Sequence, residues 1–125
     1  MDKWLVLLIM VFCHIVDDYY LQATGALAQM KQRSWWEKEY PDRKYRHDYI
    51  IALAVHSFSW AFMVLFPTVI YMNWNPPELF LLLFFVNALV HGIVDHMKAN
   101  LLIINLIVDQ TIHMVQIVVT YLILI

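Results

Sequence analysis

Cysteine is almost missing from this chain: Cys13 stands alone, which excludes an internal disulfide and any zinc site built from several thiolates. Glycine and proline are scarce too, two and four in 125 residues, so the chain is neither collagen-like nor a low-complexity linker. Charge is the third shortage. Only 14% of the residues are charged, against about 25% in a soluble domain. The eight Lys and Arg are outnumbered by ten Asp and Glu and form no stripe, so nothing here neutralises a phosphate backbone and no nucleic-acid partner is expected. What fills the space is apolar: 62% of residues are hydrophobic and the mean hydropathy is +0.63, which excludes an ordinary soluble globule.

That apolar content is gathered into four stretches, approximately Trp4 to Gln22, Tyr49 to Met72, Glu78 to His96 and Leu101 to Ile125. Each is long enough, at about 1.5 Å per residue, to cross a hydrocarbon core roughly 30 Å thick. The expected fold is therefore all-α: one domain over residues 1–125, an integral membrane four-helix bundle in a lipid bilayer. The first stretch has the look of a secretory signal, with Lys3 ahead of it and Ala26-Leu27-Ala28 behind. Asp17 and Asp18 lie between the apolar run and that triplet, so no cleavage is expected.

The connections differ in kind. Asn73-Trp74-Asn75-Pro76-Pro77 reads as a tight turn with an interfacial Trp and with Pro77 starting the next helix. Residues 23–48 instead hold Lys31, Arg33, Lys38, Arg43, Lys44 and Arg46 beside Trp35, Trp36, Tyr40 and Tyr45. This linker reads as an interfacial element, helical from Ala23 to Glu39 and stopped by Pro41. With four spans, the linker and the turn after His96 share one side and carry seven of the eight basic residues, leaving only Lys3 opposite. The excess of positive charge makes the linker side cytoplasmic, with both termini outside, in a bacterial-type inner membrane. The basic segment 31–46 is a surface for an anionic lipid headgroup or a membrane-protein partner. A homo-oligomer is compatible with this layout.

Ionisable residues inside spans cost about 2.5–3.5 kcal/mol each at the bilayer centre, so their presence requires a reason. His14 and Asp18, His91 and Asp95, Asp109 and His113 are each four residues apart, which puts each pair on one helix face. Counted from the cytoplasmic boundary, His14, His56, His91 and Asp109 all fall roughly 10–15 Å deep, although their helices run in opposite directions. One site in the cytoplasmic half of the bundle produces that agreement. His47, His96 and Asp17 fall off these faces, and Cys13 reads as packed or lipid-facing. Gln110, Asn87 and Asn105 supply further hydrogen-bonding groups.

Three uses of such a site compete. The pairs can bond across helices and hold the bundle, although such bonds average only about 0.6 kcal/mol in membranes. They can relay protons or ions. Or they can hold a divalent metal, with His14, Asp18, His91, Asp95, Asp109 and His113 as ligands. Zinc, manganese or iron suit this thiolate-free set better than copper(I), and no organic cofactor is implied. In an enzymatic version, His56 and Asp18 are the catalytic candidates, with His56 a ligand or general base. Gln22 and Lys98 bind an anionic headgroup at the mouth, and the metal brings bound water toward neutral pKa for hydrolysis of an amphipathic or lipid-like substrate. The non-enzymatic alternative is a membrane factor acting through the basic linker, with the His/Asp pairs purely structural.

The runs His14-x3-Asp18-Tyr19-x2-Gln22, His91-x3-Asp95-x2-Lys98 and Asp109-Gln110-x2-His113, with His56 in the second span, resemble an uncharacterised family of small multi-spanning membrane proteins of bacteria and their phages. The resemblance runs over nearly the whole chain and implies no activity, because the family is a domain of unknown function. The long basic and aromatic first linker departs from it. A looser likeness, confined to intramembrane His and Asp residues, links the chain to membrane-bound metal-dependent hydrolases.

Overall fold

The computed structural model describes residues 1–21 and 27–125. These form helices and turns with no strand, and four of the helices are long and apolar enough to cross a membrane. Helix α1 (Lys3–Ile15) opens on Asp2, whose carboxylate accepts from the Trp4 amide at 3.1 Å. It runs on into a π-helical turn, Val16–Leu21. Helix α4 (Asp48–Tyr71) continues through Pro67, and beyond it Asn73 and Trp74 take left-handed backbone conformations, φ 52° and 63°, to reverse the chain. Helix α5 (Leu79–Ala99) follows Pro77 as the turn chemistry predicts.

The last helix, α6 (Leu106–Leu124), begins later than the apolar stretch, which starts at Leu101. Asn105 sets the boundary: its side chain accepts from the Val108 amide at 2.9 Å, and Leu102 at φ 56° turns the chain before it. Apolarity reports burial in lipid or core, not backbone hydrogen bonding, so it ran past this cap.

Of the helix expected from Ala23 to Glu39, residues 23–26 lie outside the described residues, and the remainder is interrupted. Helix α2 (Leu27–Met30) and helix α3 (Arg33–Glu39) are separate, and Gln32 between them is extended, φ −94° and ψ 119°. Asn100 at the end of α5 holds the break open. Its amide donates to the Lys31 carbonyl at 2.9 Å, and its carbonyl accepts from the Arg33 amide at 2.6 Å. Helix α3 ends at Glu39, ahead of Pro41, and a single 3-10 turn at Arg43–Tyr45 leads into α4.

Helices α1, α4, α5 and α6 pack as a ring in which α1 touches α4 and α6, and α5 touches α4 and α6. Its interior has two storeys. Away from the linker it is apolar, with Val6, Met10, Trp60, Val64, Leu65, Ile117 and Tyr121 closed off from solvent. Toward the linker it is polar, with His14, Asp17, His56, His91, Asp95, Asp109 and His113 all buried. Large side chains such as Leu8, Phe12, Phe62, Leu81, Phe85 and Leu122 cover the outside. Polar inside and apolar outside is the reverse of a water-soluble domain.

Candidate metal centre

The cluster forms where the C-terminal ends of α1 and α5 meet the N-terminal ends of α4 and α6. His14, His56, His91 and Asp109, which the depth count placed at one level, do converge here. Asp95 stands at the centre. Its Oδ2 lies 2.8 Å from His56 Nε2 and its Oδ1 lies 3.4 Å from His113 Nε2. Asp109 Oδ1 is 3.3 Å from the same His113 nitrogen. Asp18 Oδ1 reaches to 3.5 Å of His56 Nε2 and 3.7 Å of His91 Nε2. Among the described residues, four overlapping groups bring ligand atoms within 4.8 Å of one another: Asp17, Asp18 and His56; His56, His91 and Asp95; Asp18, His91 and His113; and Asp95, Asp109 and His113. Such buried His/Asp groups can hold a metal ion.

The protonation of His113 follows from its neighbours. The Gln116 amide donates through Nε2 to the Asn87 backbone carbonyl at 3.1 Å, which can only accept. Gln116 Oε1 therefore faces His113 Nδ1, 3.1 Å away, and that nitrogen carries the hydrogen. His113 Nε2 is left close to two carboxylate oxygens, Asp109 Oδ1 at 3.3 Å and Asp95 Oδ1 at 3.4 Å. It has no hydrogen-bond partner, nor does Asp109 Oδ1, and both residues are fully buried. Carboxylate oxygens gathered around an imidazole nitrogen in a closed space call for positive charge between them, carried by a proton on that nitrogen or by a metal ion. A ligating histidine that passes its other N–H to a fixed acceptor is the usual support around a metal.

Charge points the same way. Asp17, Asp18, Asp95 and Asp109 bring four carboxylates, against two ammonium groups: Lys31 Nζ at 3.2 Å from Asp95 Oδ2 and Lys98 Nζ at 3.0 Å from Asp109 Oδ2. Beside them lies a cavity of about 60 Å³ lined by Asp18, Tyr19, Lys31, His56, Asp95, Lys98, Leu106 and Gln110.

Several residues stand elsewhere than the spacing suggested. His14 is expected as a ligand, but both its ring nitrogens are taken: Trp60 Nε1 donates to Nδ1 at 2.8 Å, and Nε2 pairs with Gln110 Oε1 at 2.9 Å. It supports the cluster from beneath and belongs to none of the convergent groups. Asp17, expected off the face, is fully buried and accepts from Ser59 Oγ at 2.8 Å. The π turn is the cause, because its wider winding brings two consecutive residues toward the interior where an α-helix presents one. Lys98 does not stand free at the mouth but pairs with Asp109. Gln22 lies outside the described residues. Exposed His47 stays away, and half-buried His96 stacks on Tyr49 at 6.0 Å.

Lys31, Trp60 and Gln116 join the site without belonging to any of the spaced His/Asp pairs. In the sequence Lys31 stands among the linker charges. Gln116 carried a usable signal, a polar side chain three residues beyond His113 on the same face of an apolar helix.

Residues 6–125 match the family model described as "Protein of unknown function (DUF3307)", and the chain belongs to that family. No curated protein and no solved structure matches it.

Proposed function

We propose that this member of the DUF3307 family is a four-span integral membrane protein that binds a divalent metal ion inside the bundle, at Asp95, Asp109 and His113. The observation that carries the reading is the convergence of two buried atoms without a hydrogen-bond partner, His113 Nε2 and Asp109 Oδ1, 3.3 Å apart with Asp95 Oδ1 3.4 Å from the same nitrogen. A metal held at about 2.0–2.2 Å by N and O ligands separates neighbouring ligands by roughly 3.0–3.5 Å, which is the spacing found. The site opens toward the linker, and the linker's positive charge favours the cytoplasmic side, with both termini outside.

The chemistry we assign is hydrolysis of an amphipathic, ester-bearing substrate at the cytoplasmic interface. A bound metal supplies water with a pKa near 7. The residues of the chain provide the rest. The small cavity admits the reacting group, Lys31 and Lys98 at its rim favour an anionic one, and His56 is placed to accept a proton beside it. The aromatic cluster of Trp35, Trp36, Tyr40 and Tyr45, with Lys44 Nζ 4.9 Å above the Tyr45 ring, suits the headgroup layer in which such a substrate lies.

Elemental analysis of monodisperse, detergent-purified protein tests the metal. Wild type and the exposed control His47→Ala are expected to retain zinc, manganese or iron after desalting. His113→Gln and Asp109→Asn are expected to lose at least ten-fold in affinity for the ion bound between them. Unchanged binding in both variants overturns the assignment. Hydrolysis is tested on the loaded protein with short-chain ester and phosphodiester amphiphiles in mixed micelles; no turnover that depends on His113 and Asp109 leaves a binding protein.

A further inference from the structure

The proton order that starts at Gln116 does not stop at His113. His113 Nδ1, whose hydrogen goes to Gln116 Oε1, lies 3.2 Å from His91 Nδ1, so a hydrogen on His91 Nδ1 would find no acceptor there and sits on Nε2 instead. His91 Nε2 lies 3.0 Å from His56 Nε2, which must accept in turn. His91 is clamped in this orientation, stacked on Trp60 at 4.2 Å and against His113 at 4.1 Å. Its Nε2 is therefore a donor, not a ligand.

The consequence falls on His56. Its Nε2 lies 2.8 Å from Asp95 Oδ2 and 3.5 Å from Asp18 Oδ1. A cation placed among these three atoms would take the lone pair that otherwise receives the His91 hydrogen, leaving that hydrogen to Asp18 Oδ1 and Asp95 Oδ2, each 3.7 Å from His91 Nε2. Asp18 Oδ1 is buried without a hydrogen-bond partner, and His56 is 1% exposed. Asp17 completes a second convergent group with these two residues. The cluster thus contains two groups of converging ligand atoms, each with one histidine Nε2, and Asp95 turns one oxygen to each.

From this we infer that the cluster holds two divalent cations, one at Asp95, Asp109 and His113 and the other at Asp17, Asp18 and His56, bridged by the two oxygens of Asp95. Together the two positions use all four carboxylates, Asp95 serving both, so the four negative charges balance two divalent cations. Lys31 and Lys98 neutralise Asp95 and Asp109 through the same carboxylate groups that two cations would occupy. Loading both positions leaves their two positive charges uncompensated beside the cavity they line. A paired-metal centre with cations at its rim is suited to a phosphoryl group, whose attacking and leaving oxygens two metals can stabilise together. This inference rests on the metal reading above and goes beyond it in number and position.

The test uses manganese on the full chain in detergent, with metal counted by elemental analysis and electron paramagnetic resonance recorded on the same samples. Two ions per chain and an exchange-coupled spectrum are expected in wild type. His56→Gln and Asp18→Asn should each leave one ion with the spectrum of isolated manganese, and His113→Gln should do the same from the other side. One ion in wild type, retained in His56→Gln and lost in His113→Gln, overturns the second position and leaves the first. Two uncoupled ions overturn the bridge. No ion in any sample overturns both readings, and the wild-type spectrum decides between them even if a variant misfolds.

Discussion

Gln116 touches no carboxylate, yet a chain of hydrogen bonds through three histidines starts from it. Its amide is oriented by a backbone carbonyl, and that orientation fixes His113, then His91, then His56. Replacing it by leucine removes the acceptor for His113 Nδ1 while keeping helix propensity. Metal affinity is expected to fall 10–100-fold in Gln116→Leu, the usual cost of losing such a support, as measured by titration against a competing chelator. The sequence made the titratable residues visible because charge inside an apolar span stands out. It did not reveal which of them face each other atom to atom. His14 has the spacing of a ligand, but Trp60 and Gln110 take both its nitrogens, and Trp60 looks like any core aromatic in a linear reading. Asp17 was hidden by the π turn, which changes the face of a residue without changing the residue type.

At the scale of the element, helix spacing matters as much as helix face. Gly92 sits where α5 meets α4, and a Cβ there would stand 2.7 Å from Ser57 Oγ and 3.5 Å from Ser57 Cβ. The approach brings His91 and His56, one residue before each of these positions, within reach of each other. Gly92→Val, too branched to turn aside, is expected to destabilise the protein by about 1–3 kcal/mol and to lower its metal content. The pair Gly92→Ala with Ser57→Ala removes the oxygen and leaves an ordinary contact, so it should restore both thermal unfolding in detergent and bound metal. The four long helices were legible because their apolar runs exceed anything a loop would carry. The split between α2 and α3 was not, because the side chain that makes it, Asn100, lies 67 residues from Arg33.

The whole molecule encloses a polar cluster at one end of its interior and is apolar without, and its basic residues gather at that same end. Reporter fusions give the check on orientation. A periplasm-active phosphatase at either terminus should be active, while the same reporter inserted after Lys38 should be silent; the opposite pattern overturns the topology. The placement of the two lysines has a consequence for how the chain is made. Domains emerge from the N-terminus onward, and a carboxylate entering lipid without a counter-ion is costly. Asp95 is met by Lys31, and Asp109 by Lys98, so in both pairs the ammonium precedes its acid along the chain. In the membrane placement proposed above, each of these two acids reaches the bilayer after its neutralising partner has been synthesised, so that the order of translation itself would lower the barrier to burying them.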